Sequence, residues 1–231
     1  MKIMVINPNE SQAMTAMIEK TCTACLSPDT QLYVRYGGAG MNSIEGFYDG
    51  ALATPGVLRH IESGEKAGMN AYIIACADDT GLDAGREIAI GPVVGIGQAA
   101  MHAASMLGAQ FSLLTAQRKS IHVLKSNARR YGFANQCAGV HALDIPVLDL
   151  EADDADLNEA ISQHAQHIVH TDDSEVLVLG CAGLSRYREQ LETYLNLPVV
   201  DGLAVAITFA EALVKAGLST SKANTYRRAA S

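Results

Sequence analysis

The chain has 231 residues, 48% of them hydrophobic and 18% charged, enough apolar material for a substantial core and too much for a disordered chain. Its 17 Lys and Arg against 25 Asp and Glu leave a net charge of −8, which argues against binding to a phosphate backbone; the one basic cluster of note, Arg129-Arg130, reads as a solvated helix end. No run approaches the roughly 18–20 apolar residues of a membrane span. The N-terminus enters a strand-like run without the apolar stretch of a signal peptide, and five irregularly spaced cysteines suit free thiols in a reducing compartment. The expectation is a cytoplasmic globular protein with a small-molecule substrate and no nucleic-acid or membrane partner.

Strands and helices alternate along the chain. Lys2–Asn7 is a β-branched run that ends in the turn signal Asn-Pro-Asn. Ser11–Leu26 has helical spacing, Leu32–Arg35 reads as a strand, and Pro55–Ala67 as a helix stopped by Gly68. Ala71–Ala75 is a continuous apolar run, as expected of a strand buried on both faces. A short helix at Gly81–Ala89, a strand at Pro92–Ile96 and a helix at Gly97–Leu107 follow. The second half repeats the style, with strands at Phe111–Thr115, Val176–Leu179 and Val199-Val200, and helices at Ser120–Tyr131, Leu157–His170, Arg186–Leu195 and on to about Ala216. The pattern predicts an α/β fold with largely parallel sheets.

Three anchors recur at nearly one offset. Lys2 and Gln110 open similar strands 108 residues apart, Cys76 and Cys181 end similar strands 105 apart, and Pro92 and Pro198 open strand-to-helix units 106 apart. Two related α/β halves follow, with 1–97 plus about 205–231 forming the first domain, about 98–204 the second, and the site in the cleft between them. Cys76 and Cys181 then hold equivalent places at the carboxyl ends of buried strands, where open α/β sheets bind ligands. A lone cysteine there is ordinary packing, but independent packing has no reason to match two. A pair of thiols across a cleft suits stereoinversion at a carbon acid: one thiolate removes a proton and the opposite thiol returns one to the other face. That chemistry needs no cofactor or metal in principle, and backbone N–H groups after each cysteine, at Ala77, Asp78 and Asp79 and at Ala182 and Gly183, are the available donors for a developing enolate.

The sequence resembles the hydantoin/allantoin racemase branch of the aspartate/glutamate racemase superfamily. The matching residues are Val5-Ile-Asn-Pro-Asn9, Ser43-Ile-Glu-Gly46 with Tyr48-Asp49, Ile74-Ala-Cys76 followed by Asp79 and Gly81-Leu-Asp83, Pro92–Gly97 with Ala99–Met101, Leu179–Gly183, Pro198–Gly202 and Thr220-Ser-Lys222. The resemblance implies two pseudo-symmetric α/β domains, cofactor-independent racemisation with Cys76 and Cys181 as the acid/base pair, ligand contacts near Asn7, Ser43, Thr115 and the loops after each cysteine, and a homo-oligomer. Cys76-Ala-Asp-Asp-Thr-Gly81 departs from the branch's usual Cys-Phe-Gly-Asp-Pro-Gly, and Thr115-Ala116 from its Thr-Thr; the stretch Gly37–Met41 also looks longer than usual. Asp78 either faces the pocket, where it would disfavour an anionic substituent and raise a neighbouring thiol's pKa, or caps the following helix.

The Cys-Asn-Thr and Gly-Cys-Thr-Glu contexts usual in acidic-amino-acid racemases are missing, so free aspartate or glutamate is the weaker substrate. One alternative is an isomerase of a small unsaturated diacid, with Arg35, Arg86, Arg118 and Arg186 as the available carboxylate partners; another is a binding protein that retains the scaffold without catalysis. Cys22-x-x-Cys25 reads as helix packing, His164, His167 and His170 as a solvated face, Gly95-x-Gly97 as a tight turn and Asp149–Asp156 as an acidic surface loop.

Overall fold

Two four-stranded parallel sheets form the frame of this computed structural model, which describes residues 1–38, 40–151 and 154–227. The first holds β1 (Lys2–Asn7), β2 (Gln31–Tyr36), β3 (Ala71–Ile74) and β4 (Val93–Gly95) in the order β2-β1-β3-β4. The second holds β5 (Phe111–Thr115), β6 (Cys137–Ala142), β7 (Val176–Leu179) and β8 (Val199–Asp201) in the order β6-β5-β7-β8, the same arrangement repeated. The registers repeat as well. Ile6 pairs with Ile74 and Ile74 with Gly95, while Leu114 pairs with Leu179 and Leu179 with Asp201. The offsets of 108, 105 and 106 seen in the sequence are therefore the offsets between structurally equivalent residues.

Side-chain alternation along the strands divides the interior. Ile3 and Val5 of β1, with Ala71 and Ile73 of β3, face a large core shared with Phe111, Leu113, Leu177 and Val199 of the other half. Met4, Ile6, Tyr72 and Ile74 face a smaller core under α2 (Phe47–Lys66) and α3 (Leu82–Ile88), against Val57, Ile61 and Leu82. Both faces of the first sheet are thus covered, which is why its strands carry apolar runs instead of alternating polarity. The shared core continues through α4 (Ile96–Leu107) and α8 (Gly202–Lys215), where Ala99, Ala100 and Ala104 meet the small-residue side of α8 and bring the two helices close.

α1 (Gln12–Cys25) begins where Ser11 accepts the Met14 N–H at 3.1 Å and buries Met14, Ile18 and Cys22 along one side. The Cys22–Cys25 pair is therefore split between a core position and an exposed one. The remaining helices are α5 (Arg118–Arg130), α6 (Ala155–Asp172) and α7 (Arg188–Leu195), the last entered through a 3-10 turn at Ala182–Tyr187. His164, His167 and His170 run along α6, with His167 and His170 exposed. Of the acidic run, Asp154 caps α6 and residues 152–153 lie outside the described residues, as do Ala39 of the Gly37–Met41 stretch and residues 228–231 of the expected first domain.

Two expectations are corrected. The helix expected from Pro55 begins at Phe47, eight residues earlier, and holds Pro55 in its interior. A proline suits a first turn, so it reads as a start; here it costs the helix one internal N–H donor instead. The strand Cys137–Ala142 is absent from the sequence reading. It is an edge strand, pairs only with β5 and buries only Val140, so it carries no apolar run to announce it.

Candidate active site

Each candidate cysteine follows its strand by two residues, and the backbone treats both alike. The Ala75 N–H donates to the Ile6 carbonyl at 2.8 Å, and the Gly180 N–H to the Leu114 carbonyl at 2.7 Å. The Cys76 carbonyl accepts the Asp79 N–H at 3.0 Å, and the Cys181 carbonyl accepts the Leu184 N–H at 3.0 Å. Pairing thus carries each chain one residue past the strand, and a turn begins at the cysteine. A helix of the opposite half grips each turn. Asn127 of α5 donates to the Asp78 carbonyl at 3.1 Å and Tyr131 donates to Asp79 Oδ2 at 2.7 Å, while Met14 of α1 packs beside Gly183.

The first turn needs special backbone. Asp79 has φ 55° and Gly81 φ 75°, both left-handed, a region that Asp tolerates and Gly adopts freely. Gly95 and Gly97 serve the same turn by their lack of a Cβ: a methyl at Gly97 would fall on the Ala77 carbonyl oxygen and one at Gly95 on the Asp79 carboxylate. This close approach lets Asp79 accept the Gly97 N–H at 3.0 Å and the Gln98 N–H at 2.8 Å, so its side chain caps α4. Gly95-x-Gly97 is accordingly a contact between the start of α4 and the Cys76 turn.

Both cysteines open onto one cleft of about 420 Å³, a figure that includes space open to solvent. Its floor comes from the carboxyl ends of four strands: Pro8 and Asn9 after β1, Ala75–Asp78 after β3, Thr115 at the end of β5, and Gly180–Ala182 after β7. Met14, Ile44, Ser120 and Val147 complete the walls, and among the described residues no Lys, Arg or His lines the cleft. Burial holds the Cys76 thiol well above its ordinary value, and the Asp78 carboxylate adds to the rise. The Asp78 N–H and the Thr80 hydroxyl, whose oxygen lies 3.7 Å from the sulfur, pull it back. Cys181 is pushed up to about 11, first by burial, with the Gly183 and Leu184 amides opposing and Asp78 and Glu45 adding. Burial, then Asp79 and Asp49, push Asp78 up to about 7. Asp79 rises to about 6 by burial, against the pull of Tyr131 and the two α4 amides.

Of the residues expected at the site, Cys76, Cys181, Ala77, Asp78, Thr115 and Ala182 line the cleft. Thr115 is already engaged, its hydroxyl donating to the Gly180 carbonyl at 3.0 Å beside Cys181. Asn7, Ser43, Asp79 and Gly183 stand behind the lining. Asn7 is fully buried and donates to Asn9 Oδ1 at 2.8 Å and to Thr15 at 2.9 Å, which fixes the Asn-Pro-Asn turn. Ser43 donates to Glu45 at 3.1 Å, Asp79 has both oxygens bound as described, and Gly183 gives its N–H to the Cys181 sulfur. The helix-cap reading of Asp78 is not met, because Gly81 is the residue that precedes α3 at its N-cap and no side chain caps that end. Asn9, Met14, Ile44, Ser120 and Val147 were missed; Asn9 and Ile44 stood within quoted motifs, the other three in none. Among the described residues no group of three or more His, Cys, Asp or Glu is placed to hold a metal ion.

Known proteins share this architecture. The model of the Asp/Glu/Hydantoin racemase family matches residues 3–210. A hydantoin racemase from a Pseudomonas species is 39% identical over 227 residues, covering 98% of this chain and 91% of that one. The structure of allantoin racemase from Klebsiella pneumoniae superposes with a TM-score of 0.96 at 38% identity, covering 100% of this chain and 94% of that one. Allantoin racemase from Pseudomonas fluorescens gives 0.94 at 33% identity, with 99% and 97% covered. The chain belongs to the Asp/Glu/Hydantoin racemase family, a family of isomerases, and within it to the hydantoin/allantoin racemase branch.

Proposed function

We propose that this chain is a cofactor-independent racemase of a hydantoin or allantoin-type cyclic ureide, with Cys76 and Cys181 alternating as base and acid. The observation that carries the reading is the equivalent placement of two thiols, each beginning a turn at the end of a buried strand, on one cleft. One thiolate takes the proton from the carbon between the ring carbonyl and ring nitrogen. The opposite thiol gives its proton to the other face, so each turnover exchanges the protonation states of the two sulfurs. The Asp79 and Leu184 amides are used within the turns, which leaves those of Ala77 and Ala182 as donors for the enolate oxygen. Burial holds both thiols above their ordinary values and so favours their protonated forms at neutral pH; turnover should rise as the solution becomes alkaline and one thiolate forms.

The diacid-isomerase alternative finds no support in the cleft. Arg35 donates to the Val34 carbonyl, Arg86 to Val93 and Gln98, Arg118 pairs with Asp144, and Arg186 stacks on Tyr187. The five cysteines are unbonded, which suits the reducing compartment of a cytoplasmic enzyme. The test is polarimetry of single enantiomers of allantoin and of alkyl-hydantoins with purified protein. Decay of rotation above the uncatalysed rate is expected; rotation that stays at the uncatalysed rate for every compound overturns the reading.

A further inference from the structure

We infer that Asp78 selects the substituent on the reacting carbon, accepting a group that offers a nitrogen hydrogen-bond donor and refusing a carboxylate. The inference rests on the racemase reading and deepens it. The backbone of Asp78 is fixed from both sides, its N–H directed at the Cys76 sulfur and its carbonyl held by Asn127. Asp78 lines the cleft two residues after Cys76, and its negative charge bears on both Cys76 and Cys181.

Among the described residues that half-buried carboxylate has no hydrogen-bond or ion-pair partner, and it is not among the fully buried unpaired atoms, so water reaches it in the substrate's absence. The groups around it make matters worse for an anion. Asp79 is committed to α4 and Tyr131, Asp49 accepts the Glu45 N–H at 3.1 Å, and both push the Asp78 proton affinity up. Among the described residues no basic side chain lines the cleft to compensate. A half-buried carboxylate without a partner is costly, and a donor arriving with the substrate removes that cost. A second carboxylate brought to the same place displaces that water and adds like-charge repulsion. A ureido N–H and an alkylammonium meet the need equally in kind, the first by hydrogen bonding and the second with charge as well.

The experiment compares enantiopure hydantoins of similar length carrying aminopropyl, ureido, propyl and carboxyethyl groups, at a pH near 8.5 where Asp78 is ionised. kcat/KM is measured for the wild-type chain, Asp78→Asn and Asp78→Gly. Each ranking is read as a ratio within one protein, so a general loss of activity in a variant cancels, and circular dichroism checks the fold of both. The wild-type chain should favour the donor-bearing compounds over the carboxyethyl compound by about tenfold or more, and both variants should collapse that ratio towards one. Racemisation with the same ranking in all three proteins overturns this inference and leaves the racemase reading intact. No racemisation of any compound by the wild-type chain overturns the racemase reading, and this inference with it.

Discussion

Asp78→Asn gives a stability test that needs no substrate. The ordinary aspartate value is 3.8, and burial together with Asp79 and Asp49 raises it to about 7 in the folded chain. A raised folded-state value means that the neutral form favours folding below the unfolded-state value, and that this contribution is lost as pH rises through the folded-state value. The window therefore runs from about pH 4 to about pH 7. A move from 3.8 to about 7 corresponds to a ceiling of about 4 kcal/mol, and water reaching the open cleft reduces it to roughly 2–3 kcal/mol. Asparagine keeps the shape and removes the charge, so the variant should match the wild-type chain at pH 4 and exceed its stability by roughly 2–3 kcal/mol at pH 8. Urea denaturation at the two pH values, with unchanged m-values, measures the difference. A variant less stable than wild type at pH 8, or one whose gain is the same at pH 4, would refute the reasoning that the Asp78 charge is held without a partner.

Other perturbations probe the two turns. Gly97→Ala puts a methyl on the Ala77 carbonyl oxygen, backbone that cannot give way, and should cost about 1–3 kcal/mol in thermal or urea denaturation. Wild-type stability in that variant would mean that α4 does not approach the Cys76 turn as closely as described. Thr80→Val removes the hydroxyl that donates to the Cys76 sulfur, so iodoacetamide labelling of Cys76 should move to higher pH while that of Cys181 stays in place. Equal labelling curves would take Thr80 out of the account.

How far the sequence reached depended on how local each signal was. The pairing of Ile6, Ile74 and Gly95 with Leu114, Leu179 and Asp201 was present as three recurring offsets, because a duplicated parallel sheet repeats its apolar strands and the residues that end them. The matched cysteines came with that repeat. β6 was invisible because an edge strand with one buried side chain, Val140, needs no apolar run. The structural place of Asp79 was invisible for another reason. Its partners are Gly97, Gln98 and Tyr131, which lie 18, 19 and 52 residues away, and no spacing rule links a strand-end carboxylate to the start of a later helix. Ile44, Ser120 and Val147 reach the cleft only because loops and a helix from both halves converge there. For Asp78 the sequence admits both helix cap and pocket because a short turn offers both, and only the missing side-chain cap at Gly81, the residue before α3, separates them.

The central claim is that two thiols on opposite faces share the proton transfer, and the isotopic fate of the proton tests it directly. A single enantiomer of a racemised hydantoin is incubated in D₂O with enough protein to exceed the uncatalysed rate, and both enantiomers are separated and weighed by mass spectrometry at early conversion. With two acid/base groups the product carries deuterium from the opposite thiol while the remaining substrate stays protiated. Product that retains the original proton, or substrate that gains deuterium as fast as product forms, would mean a single group serves both faces and would contradict the pairing of Cys76 with Cys181.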